Sequence, residues 1–392
     1  MFDAELTAAL GSLLYLGSVA LTVSIQRTRR YYSTSYPTAL MSSEHLKEYL
    51  AKCDLNMTGS GIWDLIDPYG IYQTTVGVIN RKLYFSKAMK YDRELLILED
   101  GGQVAIDWRV SKNREDDGVP LVLLQHGLCG HSQSGYVKSM IRELENAGYY
   151  VVVFVARGCG RVPLTTPETF TASRTSDFHA VIEQIRQKHP KRELHTIGFS
   201  LGAGLLLKYL GEQGAKAKSV IKSAVAICPS FDFFIKTETF KYFSAGTVKS
   251  LQALVKTHKD FLKDHPTSKL DWDGMFKARN ILEFDQAAIV GTLKGGQHDY
   301  LHHPTVDDYY SASSCIKYSF NVQIPTLAIV ASDDPVCAAE GSPTQPEQVG
   351  PGLLVLKTRH GGHLGFLSGW LGTGGTFWCD QLAREWIQAV SR

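Results

Sequence analysis

Short apolar runs alternate with amphipathic stretches through the central part of this 392-residue chain. The apolar runs are strand-length and nearly continuous, which is typical of strands that are buried on both faces. They predict strands at 121–124, 149–154, 194–197, 223–227, 326–330 and 353–356. Helical patterns lie between or after them, at 137–147, 176–189, 201–210 and 377–390. This alternation predicts an α/β fold whose doubly wound, mostly parallel sheet is covered by helices on both faces.

Two regions depart from this alternation. Upstream of it, a β-hairpin is predicted around the turn Asp100-Gly101-Gly102, which separates two apolar runs. Between residues 230 and 321 the chain becomes more polar and mostly helical in pattern, and an insert between two sheet strands is well placed to cover a site at the strand ends. We therefore expect a core of residues 91–229 and 322–392 that is interrupted by a helical cap insert at 230–321.

The N-terminal segment Leu6–Ile25 is apolar and carries no charge. Its length is about what a helix needs to cross a bilayer. Acidic residues precede it and a basic cluster starting at Arg27 follows it, whereas a secretory signal peptide has its basic residues in front. We expect residues 1–30 to be a retained membrane anchor rather than a cleaved signal or a buried helix. Residues 31–90 are expected to form a juxtamembrane extension packed on the core.

The charges that flank this segment also predict its topology. The positive-inside rule places the basic flank, and the rest of the chain with it, in the cytosol. We expect a single-pass protein of the endoplasmic reticulum whose main domain faces the cytosol. Asn56-Met57-Thr58 is a glycosylation sequon and would report the opposite orientation.

Composition excludes several other functions. The 41 basic and 39 acidic residues nearly cancel, and no basic stretch is interleaved with aromatic residues, so nucleic acid is not an expected partner. The seven cysteines are scattered without a CxxC pair, which indicates free thiols in a reducing compartment rather than a zinc site or a disulfide framework. We expect no metal and no organic cofactor, and the sequence identifies no protein partner.

The motif Gly198-Phe199-Ser200-Leu201-Gly202 lies between a predicted strand and a predicted helix. GxSxG alone is a weak signal, but this context is that of a nucleophile elbow, in which a sharp turn projects the serine hydroxyl above the sheet. The alternative is an ordinary glycine-rich turn. We interpret Ser200 as a nucleophile, with the backbone N–H of Leu201 as one donor of an oxyanion hole.

The second oxyanion donor is expected in the loop His126-Gly127-Leu128-Cys129-Gly130, which directly follows an earlier strand. A loop in this position brings a backbone N–H toward the nucleophile, and we assign that role to Leu128. The side chain of His126 is expected to be structural.

A serine nucleophile needs a base and an acid, which follow it in chain order in this kind of site. Asp333 and Asp334 come directly after a predicted strand, and either could orient a histidine. We favour Asp334, with Asp333 capping the following turn. The next strand leads to two histidines, of which His363 lies among glycines and is the expected base, while His360 is expected on the surface or behind the site.

These motifs together resemble the AB hydrolase type 4 family, the membrane-anchored branch of the α/β-hydrolase-domain proteins. The branch includes animal abhydrolase-domain lipases and yeast medium-chain fatty-acid ethyl ester synthase/esterases. The stretches that carry the resemblance are HGLCG at 126–130, ARGCG at 156–160, LTTP at 164–167, GFSLG at 198–202, DYY at 308–310, DDP at 333–335 and GGHLGF at 361–366.

The resemblance implies an α/β-hydrolase fold with Ser200 as nucleophile, His363 as base and one of the two aspartates as acid. It also implies cleavage of a lipid or medium-chain ester at a membrane, as in an esterase, monoacylglycerol lipase or phospholipase. Two alternatives are an acyl-CoA:alcohol O-acyltransferase on the same triad, and a lipid or sterol receptor or scaffold on a hydrolase fold. The chain departs from the family at Ala156, where asparagine is usual, and at Cys129, where threonine is frequent.

Overall fold

The computed structural model describes residues 37–55, 70–111, 118–265, 271–290, 303–368, 375 and 377–392. In these ranges nine strands form one sheet. In chain order they are β1 (Thr38–Met41), β2 (Tyr91–Ile97), β3 (Gln103–Arg109), β4 (Leu121–Gln125), β5 (Tyr150–Val155), β6 (Leu194–Phe199), β7 (Ser223–Ile227), β8 (Thr326–Ala331) and β9 (Leu353–Thr358). Their order across the sheet is β1-β9-β8-β7-β6-β4-β5-β3-β2.

The centre of the sheet is parallel and its edges are antiparallel. Strands β5, β4, β6, β7, β8 and β9 pair in parallel, in that order. The predicted hairpin is present as β2 and β3, and β3 joins the sheet antiparallel to β5. The mostly parallel sheet expected from the apolar runs is thus confirmed.

Helices connect these strands and cover both faces. They are α1 (His45–Leu50), α2 (Ile71–Tyr84), α3 (Gly135–Asn146), α4 (Ser176–Lys188), α5 (Leu201–Gln213), α6 (Phe240–Thr257), α7 (Lys259–Asp264), α8 (Trp272–Lys277), α9 (Ile281–Asp285), α10 (Val306–Ser313) and α11 (Trp378–Ser391). Short 3-10 turns lie at Gly214–Ser219, Cys315–Lys317, Ser319–Asn321, Ala339–Gly341 and Pro346–Gln348, and a π turn lies at Gln286–Val290.

The hydrophobic core lies between the sheet and these helices. Every residue of β4, β5, β6 and β7 is buried, because helices cover both faces of the central strands. Phe178 of α4 packs against Phe154 of β5 at 5.9 Å between ring centroids and against Tyr209 of α5 at 5.3 Å. Helices α3 and α11 also pack on each other. Burial of apolar area on this scale is the main stabilising contribution of the fold.

Residues 31–90 were expected to pack on the core from outside, but part of this segment belongs to the core itself. Strand β1 pairs antiparallel with β9 and closes that edge of the sheet. In α1, Leu46 is fully buried, and Tyr49 meets the indole of Trp386 edge-on at 5.9 Å. The predicted anchor at 1–30 lies outside the described residues. Among the helices that are described, none has both the length and the apolar character required to span a bilayer.

Helices α6 to α10 follow β7 and precede β8, as expected for an insert between two sheet strands. They have a small apolar cluster of their own, in which Val248, Leu262, Met275 and Phe284 are buried against Leu164 of the core. Packing therefore holds the insert to the core. Residues of the insert line a cavity with Ser200, which follows β6, so the insert lies over the carboxyl ends of the parallel strands.

Candidate active site

Ser200 lies between the last residue of β6 and the first residue of α5, with φ 54° and ψ −120°. This positive φ is uncommon for a residue with a side chain and indicates local strain at a functional position. The backbone N–H of Ser200 donates to Ile227 O at 2.8 Å, which fixes the turn to the neighbouring strand β7.

Two glycines make this turn possible. A Cβ atom at Gly198 would lie 2.6 Å from Gly202 O, and one at Gly202 would lie 2.3 Å from His126 O. Both distances are far below contact, so a side chain at either position would force the strand and helix apart. The GxSxG spacing thus reflects the close approach of β6, α5 and the loop after β4.

His363 and Asp334 complete a line of hydrogen bonds with Ser200. His363 Nε2 lies 2.8 Å from Ser200 Oγ, and His363 Nδ1 lies 2.9 Å from Asp334 Oδ2. The Asp334 side chain is almost fully buried, whereas the imidazole retains 13% exposure. This is the order of nucleophile, base and orienting carboxylate that acyl transfer requires. The structure therefore brings together the three side chains selected from the sequence.

The two adjacent aspartates have different partners. Asp334 also accepts the backbone N–H groups of Val336 and Cys337 at 2.8 and 2.9 Å, so the turn-capping role expected for Asp333 belongs to Asp334 instead. Asp333 accepts the N–H of Gly362 at 2.9 Å and lies 3.3 Å from His360 Nδ1. The expectation for Asp333 was wrong, because its side chain points toward the His363 loop rather than along its own turn.

Charge explains the acid–base character of His363. Burial by itself would lower the pKa of His363, but the Asp334 carboxylate outweighs burial and raises that pKa well above its usual value. An imidazolium formed by taking a proton from Ser200 is therefore stabilised where it forms.

Helix α2 supplies a part of the site that sequence reasoning missed. Thr74 Oγ1 accepts the backbone N–H of His363 at 2.8 Å and donates to Gly70 O at 2.7 Å. Gly70 has φ 66°, and a Cβ there would lie 2.3 Å from Asp333 O. A glycine directly before a weak helical pattern was the only signal in the sequence, and it does not reveal a contact almost 300 residues away along the chain.

The loop after β4 approaches the nucleophile through its glycine. A Cβ at Gly127 would lie 3.1 Å from Ser200 Cβ, so a side chain at this position would crowd the nucleophile. The Gly127 N–H is already donated to Tyr136 Oη at 3.0 Å. Leu128 and Leu201 both line the cavity around Ser200, and within the described ranges neither N–H donates a hydrogen bond to another residue. Both groups can therefore serve an oxyanion.

His126 holds this loop from behind. Its Nε2 accepts the N–H of Ala156 at 3.1 Å, and its Nδ1 lies 2.7 Å from Gly127 O, so the ring is a neutral tautomer with its proton on Nδ1. Burial lowers the pKa of His126 to about 4, which keeps it neutral. Its role is structural, as expected.

Cys228 lies behind the histidine loop. Its sulfur accepts the N–H of Leu364 at 3.4 Å, and burial raises the pKa of the thiol to about 12. Cys228, Asp334 and His363 place ligand-type atoms within 4.8 Å of one another, the one such group in the described part of the chain. The carboxylate and imidazole already bond to each other, so hydrogen bonding accounts for this proximity.

A cavity of about 730 Å³ contains Ser200 and His363 and extends under the cap. Its walls are mainly apolar and aromatic, with Phe243, Leu254 and Phe284 from the cap and Phe170 from the core. Two carboxyls, Asp232 and Asp285, also line it. An apolar cavity with few polar groups suits an acyl chain.

Comparison with known proteins agrees with this geometry. Residues 120–369, which include Ser200, Asp334 and His363, match the α/β hydrolase fold family. The chain is 30% identical to embryogenesis-associated protein EMB8 of Picea glauca, over 78% of this chain and 67% of that protein. It is 31% identical to phospholipase ABHD3 of Bos taurus, over 77% and 72% of the two chains. It is also 31% identical to medium-chain fatty acid ethyl ester synthase/esterase 2 of Saccharomyces cerevisiae, over 67% and 61%.

Proposed function

This chain belongs to the α/β-hydrolase family, and from that premise we propose that it is a serine hydrolase which cleaves carboxylic esters of lipid-like substrates. The observation that carries the proposal is the hydrogen-bond line from Ser200 Oγ through His363 to Asp334. The apolar cavity around Ser200 supports a lipid-like acyl group, and one relative is named a phospholipase and another an ester synthase/esterase.

Acylation begins when His363 Nε2 takes the proton of Ser200 Oγ as that oxygen attacks the ester carbonyl. The N–H groups of Leu128 and Leu201 donate to the oxyanion of the tetrahedral intermediate. Asp334 holds the imidazole and stabilises its positive charge. His363 then gives the proton to the leaving alcohol, which departs and leaves the acyl group on Ser200.

Deacylation repeats these steps with water as the attacking group. His363 takes a proton from water, the hydroxide adds to the acyl carbonyl, and the fatty acid leaves as Ser200 recovers its proton. An alcohol can take the place of water and yield a new ester. Partition between the acid and ester products in added alcohol measures how far this second outcome competes with hydrolysis.

Labelling by a fluorophosphonate probe tests the nucleophile directly. Wild-type protein should be labelled covalently, and Ser200→Ala should not be labelled while retaining its thermal stability. Ser332→Ala, a serine near the end of β8 that does not line the cavity, is a matched control and should label normally. Labelling that persists in Ser200→Ala would rule out this assignment, and a lipid receptor or scaffold would then be favoured.

The membrane is the proposed location of this activity. The uncharged segment Leu6–Ile25 and its basic C-terminal flank support an N-terminal anchor in the endoplasmic reticulum with the hydrolase domain in the cytosol. The sequon at Asn56 provides the test in cells. A mobility shift that is sensitive to endoglycosidase and lost in Asn56→Gln would place the domain in the lumen and contradict this orientation.

A further inference from the structure

The mouth of the cavity can be located from residues that both line the cavity and are exposed to solvent. Val78 is 51% exposed, Ile235 41% and Tyr242 39%, and all three line the cavity. Lys82 and Lys236 share both properties. We call these five residues the mouth ring. They belong to α2 and to the start of the cap, so the cavity opens between those two elements.

The mouth ring combines apolar side chains with lysines. Phe234, which is 51% exposed, and Lys241, which is also exposed, are sequence neighbours of the mouth ring. They add one more apolar and one more basic side chain beside it, and neither lines the cavity. A group of large, exposed apolar side chains marks a site that binds a protein partner or a membrane. Their grouping around the entrance to an ester-binding cavity connects that contact with substrate entry.

The two stretches that contain the mouth ring carry mostly positive charge, although Asp232 and Asp285 line the cavity further in. Residues 71–84 contain no acidic residue, and residues 234–250 contain one, Glu238. The same two stretches contain four lysines: Lys82, Lys236, Lys241 and Lys249. A positive, apolar surface complements anionic headgroups above a hydrocarbon layer, whereas a protein partner would not need this arrangement around a lipid cavity.

The cap side of the mouth is tied to the active site. Thr237 Oγ1 donates to Pro335 O at 2.8 Å, and Pro335 directly follows the triad carboxylate Asp334. The N–H of Phe233 donates to Ser314 Oγ at 3.0 Å. These bonds hold the backbone on both sides of Phe234 and Ile235. The two exposed side chains therefore project from a segment that is fixed to the rest of the protein.

We propose that the mouth ring, together with Phe234 and Lys241, docks on the surface of a bilayer that contains anionic lipids. The proposal rests on the proposed function and extends it by naming where the substrate is collected. The apolar side chains enter the headgroup region and the lysines contact lipid phosphates. A lipid ester can then move from the bilayer into the cavity without crossing water.

The test compares one substrate in a membrane with one in solution. Full-length protein is reconstituted in vesicles of phosphatidylcholine, with or without phosphatidylserine, and is given a long-chain monoacylglycerol in the vesicles or a soluble butyrate ester. Phosphatidylserine should raise hydrolysis of the vesicle substrate, and added salt should reverse that gain because it screens the lysines. Hydrolysis of the soluble ester should respond to neither.

Variants outside the cavity separate docking from catalysis. Phe234→Ala with Lys241→Ala should lower vesicle turnover about tenfold, since each lysine near an anionic surface contributes about fivefold and the phenyl ring adds to this. Turnover of the soluble ester should stay unchanged. The matched control is Phe320→Ala with Lys218→Ala, because Phe320 is 60% exposed and Lys218 is exposed, but neither lines the cavity.

Unchanged vesicle turnover in the Phe234/Lys241 double variant would overturn the proposal. So would a wild-type vesicle rate that ignores phosphatidylserine and salt, which requires no variant and is independent of folding. Failure of the proposed function is a separate result, since it would appear as soluble-ester hydrolysis that does not depend on Ser200.

Discussion

Thr74 accepts a hydrogen bond from the backbone N–H of His363 at 2.8 Å, and so a helix near the N-terminus holds the loop of the catalytic base. The same hydroxyl donates to Gly70 O, which places it firmly in the first turn of α2. The active site is therefore built from segments that lie almost 300 residues apart in the chain.

Thr74→Val should misplace His363 without removing any triad side chain. We expect kcat to fall by about ten- to a hundredfold with little change in KM, since small displacements of a catalytic group have effects of this size. Thr74→Ser keeps the hydroxyl and should recover most of the rate. Equal rates for the valine and serine variants on a soluble ester would show that the hydrogen bond has no positioning role.

The two aspartates should differ sharply when each is changed to asparagine. Asp334→Asn removes the charge beside His363 Nδ1 and should lower turnover about ten-thousandfold, as in other triads. Asp333→Asn keeps an oxygen that can accept the Gly362 N–H and should cost far less. Steady-state rates of both variants decide between them. A severe loss at Asp333 with near-normal turnover at Asp334 would reverse the assignment.

The elements that sequence predicted well are those whose burial is local and complete. The run 223–227 predicts a strand, and β7 has those same limits, with Lys222 before it and Pro229 shortly after it. Ser200 could be identified for a similar reason, since the GxSxG geometry depends on residues adjacent in sequence.

Long-range contacts could not be predicted in this way. Strand β1 is only four residues long and none of its residues is fully buried. Its sequence therefore shows no alternation of apolar and polar residues that would predict the pairing with β9. The contact of Asp333 with the Gly362 N–H depends on where the loop at Gly362 lies, and that loop is positioned by α2. The residue types of the site can be read from local motifs, whereas the contacts that orient them depend on segments far apart in the chain.

The pH dependence of hydrolysis should show the influence of Asp334. His363 must be neutral to take the proton of Ser200, so kcat/KM should rise with pH. Burial opposes the charge on the ring, but Asp334 outweighs it and raises the pKa of His363, so the midpoint should lie above the usual value of 6.5. Asp334→Asn should move the residual activity to a lower midpoint. A wild-type midpoint below 6.5 would contradict this account of the site.

Asp285 in the cavity should make the stability of the protein depend on pH. Burial raises the pKa of Asp285 from 3.8 to about 7, although Tyr310 Oη donates to its Oδ2 at 3.0 Å and Lys236 lies near. Between these two values the unfolded chain releases a proton that the folded chain keeps. The free energy of unfolding from this group therefore falls as pH rises, and the fall is complete above the folded pKa.

Asp285→Asn cannot ionise and should reverse this effect. Relative to wild type, the variant should be more stable at about pH 8 than at about pH 5, by at most about 3 kcal/mol, and by less where water in the cavity solvates the carboxylate. Thermal unfolding of both proteins at the two pH values measures the difference. Asp273→Asn removes an exposed carboxylate from the same cap and is the control. A stability difference that is the same at both pH values would show that Asp285 is already ionised at the lower one, and that the cavity wall is more polar than its lining residues indicate.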